Sequence, residues 1–288
     1  MNAPSFETFA AAEIVLGRDA PVTPPVPTRS APRLGLDPPA RWGWLLGPAL
    51  LVLYWCVLSA TGWLDPRILP APWTAASTAL QLIREGRLQE NLEVSAARAS
   101  LGLLFGATAG VLLALVSGLS RMGGYLVDGV VQIKRGVPIL ALIPFMVLWF
   151  GIGEFMKVTV IAVTVFFPIY IHTHSALKAI DLKQVELAET LGLSRLDFLR
   201  HVVLGATLPG VLLGLRFGVT AAWLALVVVE QLNATSGIGY MINLARTYAQ
   251  SDIIVVGLVV YALLGFLSDA AVRLLERRLL SWRRTLAR

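Results

Sequence analysis

The chain is short of charge. Asp, Glu, Lys and Arg together make up 15% of its 288 residues, where soluble domains carry about 25%. A surface so poor in charge excludes a mostly water-facing protein and makes lipid the solvent for much of the chain. Cysteine is nearly missing as well. Cys56 stands by itself inside an apolar run, which excludes an internal disulfide and a cysteine-based metal site. There is no Gly-Lys pair anywhere, and therefore no G-x-x-x-x-G-K-[ST] loop to cradle the phosphates of ATP. No serine or cysteine sits in a recognisable nucleophile turn. His172 and His174 are two residues apart, which on a helix turns them about 200° from each other and does not suit a shared metal. Residues 1–41 are polar and proline-rich and lack the apolar segment of a signal peptide. They read as a disordered cytoplasmic tail.

What is present is apolar. Hydrophobic residues make up 56% of the chain, and the mean hydropathy is +0.72. Six stretches approach the roughly 20 apolar residues that a bilayer-crossing helix needs. They are Trp42–Leu64, Leu101–Leu119, Gly136–Gly153, Val158–Leu177, Leu208–Val229 and Ile253–Ser268. Gly102, Gly106 and Gly110 recur every four residues in the second, a spacing that lets helices approach closely in lipid. Pro138 and Pro144 predict a bent or broken third helix. Between the first and second, the pattern after Trp73 predicts a short amphipathic helix at the outer surface.

The net charge is +6. The basic residues lie between apolar runs, a membrane-topology pattern rather than a nucleic-acid face. With six crossings and an inside N-terminus, one side collects Arg121, Lys134, Arg135, Lys178, Lys183, Arg195, Arg200 and six C-terminal arginines, beside those of the tail. The other side collects Arg67, Arg84, Arg87, Lys157 and Arg246. That bias places both termini in the cytoplasm.

The segment from Lys178 to Gly205 is too polar for lipid and too patterned for a plain connector. Val185, Leu187, Ala188 and Leu191 form an apolar stripe at helical spacing. Gly192 permits a sharp turn, and Ser194 is a candidate N-cap for a second short helix. Two readings are open on these residues alone: a docking element for a soluble partner, or a loop packed on itself.

The same segment resembles the coupling motif of bacterial ABC importer permeases, the binding-protein-dependent transport family. That motif runs E-A-A, three residues, Gly, nine residues, Ile, one residue, Leu-Pro. Here Glu186, Leu187 and Ala188 are followed by Gly192, then by Val202 and Leu204 at the matching offsets, with Gly205 where the family has proline. The runs Val137–Gly153, F-P-I-Y-I, G-L-R-F-G and S-G-I-G-Y are similar to the subgroup importing sulfonates, taurine and nitrate. The stretch beginning S-D-I-I-V-V-G most resembles aliphatic sulfonate permeases. The resemblance implies that Glu186, Ala188, Gly192, Leu193, Val202 and Leu204 couple the chain to a cytoplasmic ATPase subunit.

Several residues are weighed as pathway or gating candidates. Arg216, an ionisable residue in an apolar helix, suits either an anion or a structural pairing with carboxylates or lipid headgroups. Glu230, with Ser236 close behind, suits a helix cap or an outer gate. Trp149, Phe167 and Trp223 suit a path lining or plain packing.

The expectation is an all-α polytopic membrane protein with six transmembrane helices and a cytoplasmic coupling helix. Its parts are the tail (1–41), a transmembrane domain (42–272, with the coupling loop at 178–205) and a basic cytoplasmic tail (273–288). By resemblance it is the non-enzymatic permease of an importer in the inner membrane, moving a small organic or inorganic anion, with an aliphatic sulfonate ahead of taurine, nitrate or a thiamine-precursor-type compound. Its partners would be a second copy of itself, two ABC ATPase subunits that bind the ATP and Mg, and a periplasmic or extracellular substrate-binding protein. It would hold no cofactor of its own and no nucleic acid. An ATP-independent secondary transporter or channel is the competing class.

Overall fold

A computed structural model describes residues 43–282. The tail at 1–41 and residues 283–288 of the basic C-terminal segment lie outside the described residues. Among those described, the regular elements are all helical: α1 (Gly43–Ala60), α2 (Pro72–Arg84), α3 (Arg87–Leu119), α4 (Arg121–Arg135), α5 (Ile139–Phe150), α6 (Glu154–Lys178), α7 (Leu182–Thr190), α8 (Arg195–Phe198), α9 (Leu204–Asn233), α10 (Ile238–Thr247) and α11 (Ser251–Leu279). A π-helical turn over Leu199–Val203 joins α8 to α9.

Four helices among the described residues are long and apolar enough to cross a bilayer: Arg87–Leu119, Glu154–Lys178, Arg195–Leu232 and Ser251–Leu279. A fifth appears if α4 and α5, which meet at 109°, count as one broken span. The apolar part of α1, Leu45–Ala60, is shorter than a full crossing. Length and composition thus give four or five spans where the sequence pattern suggests six. The break falls at Gly136-Val137-Pro138, where the proline ends one helix and begins the next. The spans also run past their expected limits. α3 starts at Arg87 rather than Leu101, and α11 continues to Leu279 rather than stopping at Ser268. The polar helix ends are carried along by the backbone hydrogen bonding of the apolar middle.

The centre is α6 packed between α3 and α9. The glycine stripe of α3 carries this contact as its spacing suggests. A Cβ at Gly102 would collide with Ile161, one at Gly106 with the Ala162 carbonyl and Val165, and one at Gly110 would press on Ile169. A second stripe on α9 does the same from the other side: Gly210 meets Ala176 and His172, and Gly214 and Gly218 meet Ile169. Two backbones therefore close on α6, and dispersion over that contact replaces the hydrophobic drive that lipid cannot supply. Val160, Ile161, Val165 and Ile169 of α6 fill the core with Ala222, Ala225, Leu226 and Val229 of α9. Gly106→Val is expected to lower stability by about 1–3 kcal/mol, read as a lower thermal midpoint in detergent with membrane insertion unchanged.

A second cluster gathers α2, the start of α3, α10 and α11 around Leu82, Leu88, Ile238, Met241 and Ile253. Pro72 begins α2, a position where its missing N–H costs nothing. The apolar face of α2 is turned onto this cluster, and Thr78 Oγ1 donates to Asp252 at 2.8 Å. The amphipathic helix read from the sequence thus packs on protein. Elsewhere the bundle exposes large apolar side chains, among them Leu104, Phe105, Leu112, Phe217, Leu224, Leu258 and Leu263. Apolar surface on that scale belongs against lipid or a partner.

Candidate functional site: a glycine turn and a buried charge clasp

The turn between α6 and α9 begins with Asp181, whose Oδ1 accepts from the Lys183 amide at 3.0 Å, and α7 follows. α7 ends where Gly192 adopts φ +64. Its amide donates to the Glu189 carbonyl and that of Leu193 to the Ala188 carbonyl, both at 3.0 Å. These bonds satisfy last-turn carbonyls in the way a left-handed C-terminal cap does. Ser194 then caps the next helix, its Oγ accepting from the Asp197 amide at 3.2 Å. That second helix is not a separate piece. It passes through the π-helical turn into α9, so one continuous rod of 38 residues runs from Arg195 to Leu232.

Ala188, Leu193 and Val202 share a groove of about 400 Å³ with Gln184, Leu187, Leu191, His201, Gly205, Ala206 and Trp282. Gly205, which stands where the family motif has proline, is part of this wall. Glu186 and Gly192 face solvent, and Leu204 lies outside the groove. Leu182, Leu187, Leu191 and Leu196 are exposed, so the turn presents apolar side chains outward from its own packing.

At the opposite end of the bundle, Glu230 is 1% exposed. Its Oε1 accepts from Arg98 Nη1 at 2.8 Å, and its Oε2 from the Gly239 amide at 2.8 Å and Tyr261 Oη at 3.0 Å. Ser95 Oγ adds 2.8 and 2.9 Å contacts to its two oxygens. Arg98 Nη1 also donates to the Ser236 carbonyl at 2.7 Å, and the Gly237 amide to Asn91 Oδ1 at 2.8 Å. The S-G-I-G-Y run thereby acquires a physical role. Gly237 has φ +111, and a Cβ there would fall on the Glu230 carboxylate. The glycine lets the start of α10 close over a buried charge. Arg98 reaches Glu154 at the head of α6 as well, and Lys157 bonds the same carboxylate. Five helices meet here: α3, α6, α9, α10 and α11.

The structure brings Glu230 and Ser236 together through Arg98, and links Trp223 to them through Tyr261, whose ring lies 6.5 Å away. Trp223 Nε1 donates to Ser268 Oγ at 3.1 Å. The other candidates stand apart. Arg216 pairs with Asp269 at 2.8 Å, and Asp269 with Arg273 at 2.9 Å. Phe167 carries the Lys134 ammonium 3.8 Å above its ring. Trp149 is exposed beside Phe145. His172 stacks on Phe217 and His174 on Tyr170, so the two histidines face different neighbours.

Arg98 and Glu154 do not figure among the residues singled out from the sequence, and Lys157 figures there only in the charge bias. A signal for Arg98 is present there. Ser95, Arg98, Gly102, Gly106 and Gly110 lie three or four residues apart on one face of α3, so the small-residue stripe points the arginine into the bundle. Glu154 and Lys157 carry no such mark.

The spans, the glycine-packed α3–α6–α9 core and the apolar outer surface define a multi-pass membrane protein. The chain belongs to the binding-protein-dependent transport system inner membrane component family, whose model matches residues 106–281. It is 43% identical to the provisionally named aliphatic sulfonates transport permease protein SsuC of Escherichia coli (strain K12), over 83% of this chain and 90% of that one. It is 39% identical to the protein of the same name in Bacillus subtilis (strain 168), over 84% and 89%. A crystal structure of an amino acid ABC transporter with histidines superposes with a TM-score of 0.55 at 17% identity, covering 69% of this chain and 97% of that one. At that identity the likeness bears on the fold.

Proposed function

We propose that the chain is the permease subunit of an ATP-driven importer for an aliphatic sulfonate, working as a homodimer with both termini in the cytoplasm. The observation that carries the coupling part is the Gly192 turn, which joins α7 to the helix that runs from Arg195 into α9. An ATPase subunit gripping α7 and the groove beside it reaches α9 through that turn. Glu186, Ala188, Gly192, Leu193, Val202 and Leu204 serve this coupling. ATP binding in the partner closes the ATPase pair and tips the helices to face outward, and hydrolysis resets them, as differential contacts in two states require. A soluble binding protein delivers substrate at the opposite end, near α2 and α10.

The substrate class rests on the names of the two sulfonate relatives. Among the gating candidates, Glu230, Ser236 and Trp223 hold the far end, Arg216 is fixed by Asp269, and Trp149 and Phe167 contribute path lining. Uptake assays comparing ethanesulfonate, taurine and nitrate in reconstituted vesicles test the assignment. Saturable uptake of ethanesulfonate ahead of the other two is expected. Preference for taurine or nitrate would move the substrate to that compound.

A further inference from the structure

The guanidinium of Arg98 has two edges in different surroundings. Nη1 is held inside, by Glu230 Oε1 and the Ser236 carbonyl. The other edge meets Glu154: Nε donates at 2.6 Å to Oε2 and Nη2 at 2.7 Å to Oε1, with a further 3.2 Å bond from Nη2 to Ser236 Oγ. Lys157 Nζ donates to the same Oε1 at 2.8 Å. Arg98 and Lys157 are each 3% exposed, yet the Glu154 side chain that they share is 60% exposed. Two buried cations thus converge on a carboxylate at the surface.

Glu154 is also the first residue of α6, directly after Gly151-Ile152-Gly153. Its side chain can turn to water without breaking a helical hydrogen bond. With Glu154 turned away, Arg98 keeps Glu230 while Lys157 loses the carboxylate it was bonded to, which leaves one net positive charge beside a fixed bidentate donor edge. Burying such a charge without a counter-ion is costly, so an anion entering there is favoured. The guanidinium edge and ammonium suit an oxyanion with two or three acceptor oxygens.

We propose that Glu154 is a displaceable stand-in and that the Arg98 Nε–Nη2 edge with Lys157 Nζ binds the headgroup of a monoanionic sulfonate. The headgroup takes the carboxylate's place as it enters the permease. The identity of the anion rests on the sulfonate reading above; the site itself rests on the geometry.

The test uses the full-length chain in nanodiscs, with ethanesulfonate as probe and its thermal midpoint as readout. Sodium chloride at equal ionic strength and the neutral diethyl sulfone serve as controls. In the wild type the resident carboxylate competes with the probe. Glu154→Ala is expected to show a saturable rise in midpoint with ethanesulfonate and neither control, half-saturating at a concentration at least about tenfold below wild type. Glu154→Gln, which keeps a hydrogen-bond acceptor on Arg98 without the charge, is expected to fall between them and serves if the alanine variant fails to fold. Adding Lys157→Gln to either variant is expected to remove most of the gain. Absence of a saturable response in the Glu154 variants, a response matched by chloride, or one unaffected by Lys157→Gln would overturn the proposal. Binding is read here without transport, so a negative result leaves the uptake assignment standing. Uptake of a different anion, in turn, leaves the binding result to be judged by itself.

Discussion

Replacing Gly192 with isoleucine is expected to abolish ATP-driven uptake while the chain still inserts and folds. Gly192 holds φ +64 and has open space where a side chain would go. The penalty is therefore confined to the backbone: a residue with a Cβ pays about 1–2 kcal/mol in the left-handed region, and a β-branched one more. The chain can relieve that strain only by changing the angle at which α7 leaves the turn. The turn lies at the end of α6–α9, outside the glycine-packed core, so the thermal midpoint moves little. Gly192→Asn, which tolerates this conformation, is expected to retain most uptake. Loss of uptake in isoleucine with retention in asparagine identifies the turn geometry as the requirement. Equal loss in both would assign the position to a surface contact instead.

The second large effect concerns stability. Arg98→Ala leaves Glu230 buried with Ser95, Tyr261 and the Gly239 amide but without its cation. Removing one member of a buried ion pair costs roughly 3–5 kcal/mol. Loss of folded protein, or a fall in thermal midpoint larger than that of Gly106→Val, is the expected reading. The double variant Arg98→Met with Glu230→Gln removes both charges and is expected to recover part of the loss. The recovery measures the coupling between the two residues. A double variant no better than Arg98→Ala would show that Arg98 acts mainly through Ser236 and Glu154.

How much of this was legible in the sequence differs from one element to the next. The Gly192 turn was the clearest, because a positive-φ glycine followed by a capped helix leaves a local signature: Gly192 and Ser194 each sit where a cap needs them, while the Asp181 cap of α7 emerged only with the fold. The glycine stripe of α3 was equally plain, since period four in an apolar run has one geometric meaning. The matching stripe on α9, Gly210, Gly214 and Gly218, obeys the same rule, but the sequence does not say which helices pair. The ends of the spans were poorly marked. Hydropathy reports where lipid begins, whereas α3 and α11 extend beyond it on polar residues. The count of crossings suffers for the same reason at α1 and at the α4–α5 bend.

The clasp was the least legible part. Glu230 and Ser236 stood out as polar groups at the end of an apolar helix, but their partner Arg98 lies 132 residues away from Glu230 in the chain. Arg216 showed the reverse. Its charge in an apolar run left an anion and a carboxylate partner both open, and the fold supplies the carboxylate, Asp269 from α11. A charge in a membrane helix announces that it has a partner, and the tertiary packing decides which.

The proposed drive is ATP hydrolysis in a partner subunit, transmitted through the Gly192 turn. Its most direct test is ethanesulfonate accumulation in proteoliposomes that hold the chain with its ATPase and binding protein, with and without ATP inside the ATPase-facing compartment. Accumulation against a gradient that requires ATP, and that is lost in Gly192→Ile, is the expected result. Accumulation that proceeds without ATP, or survives in that variant, would contradict the account and make the chain an ATP-independent transporter or channel.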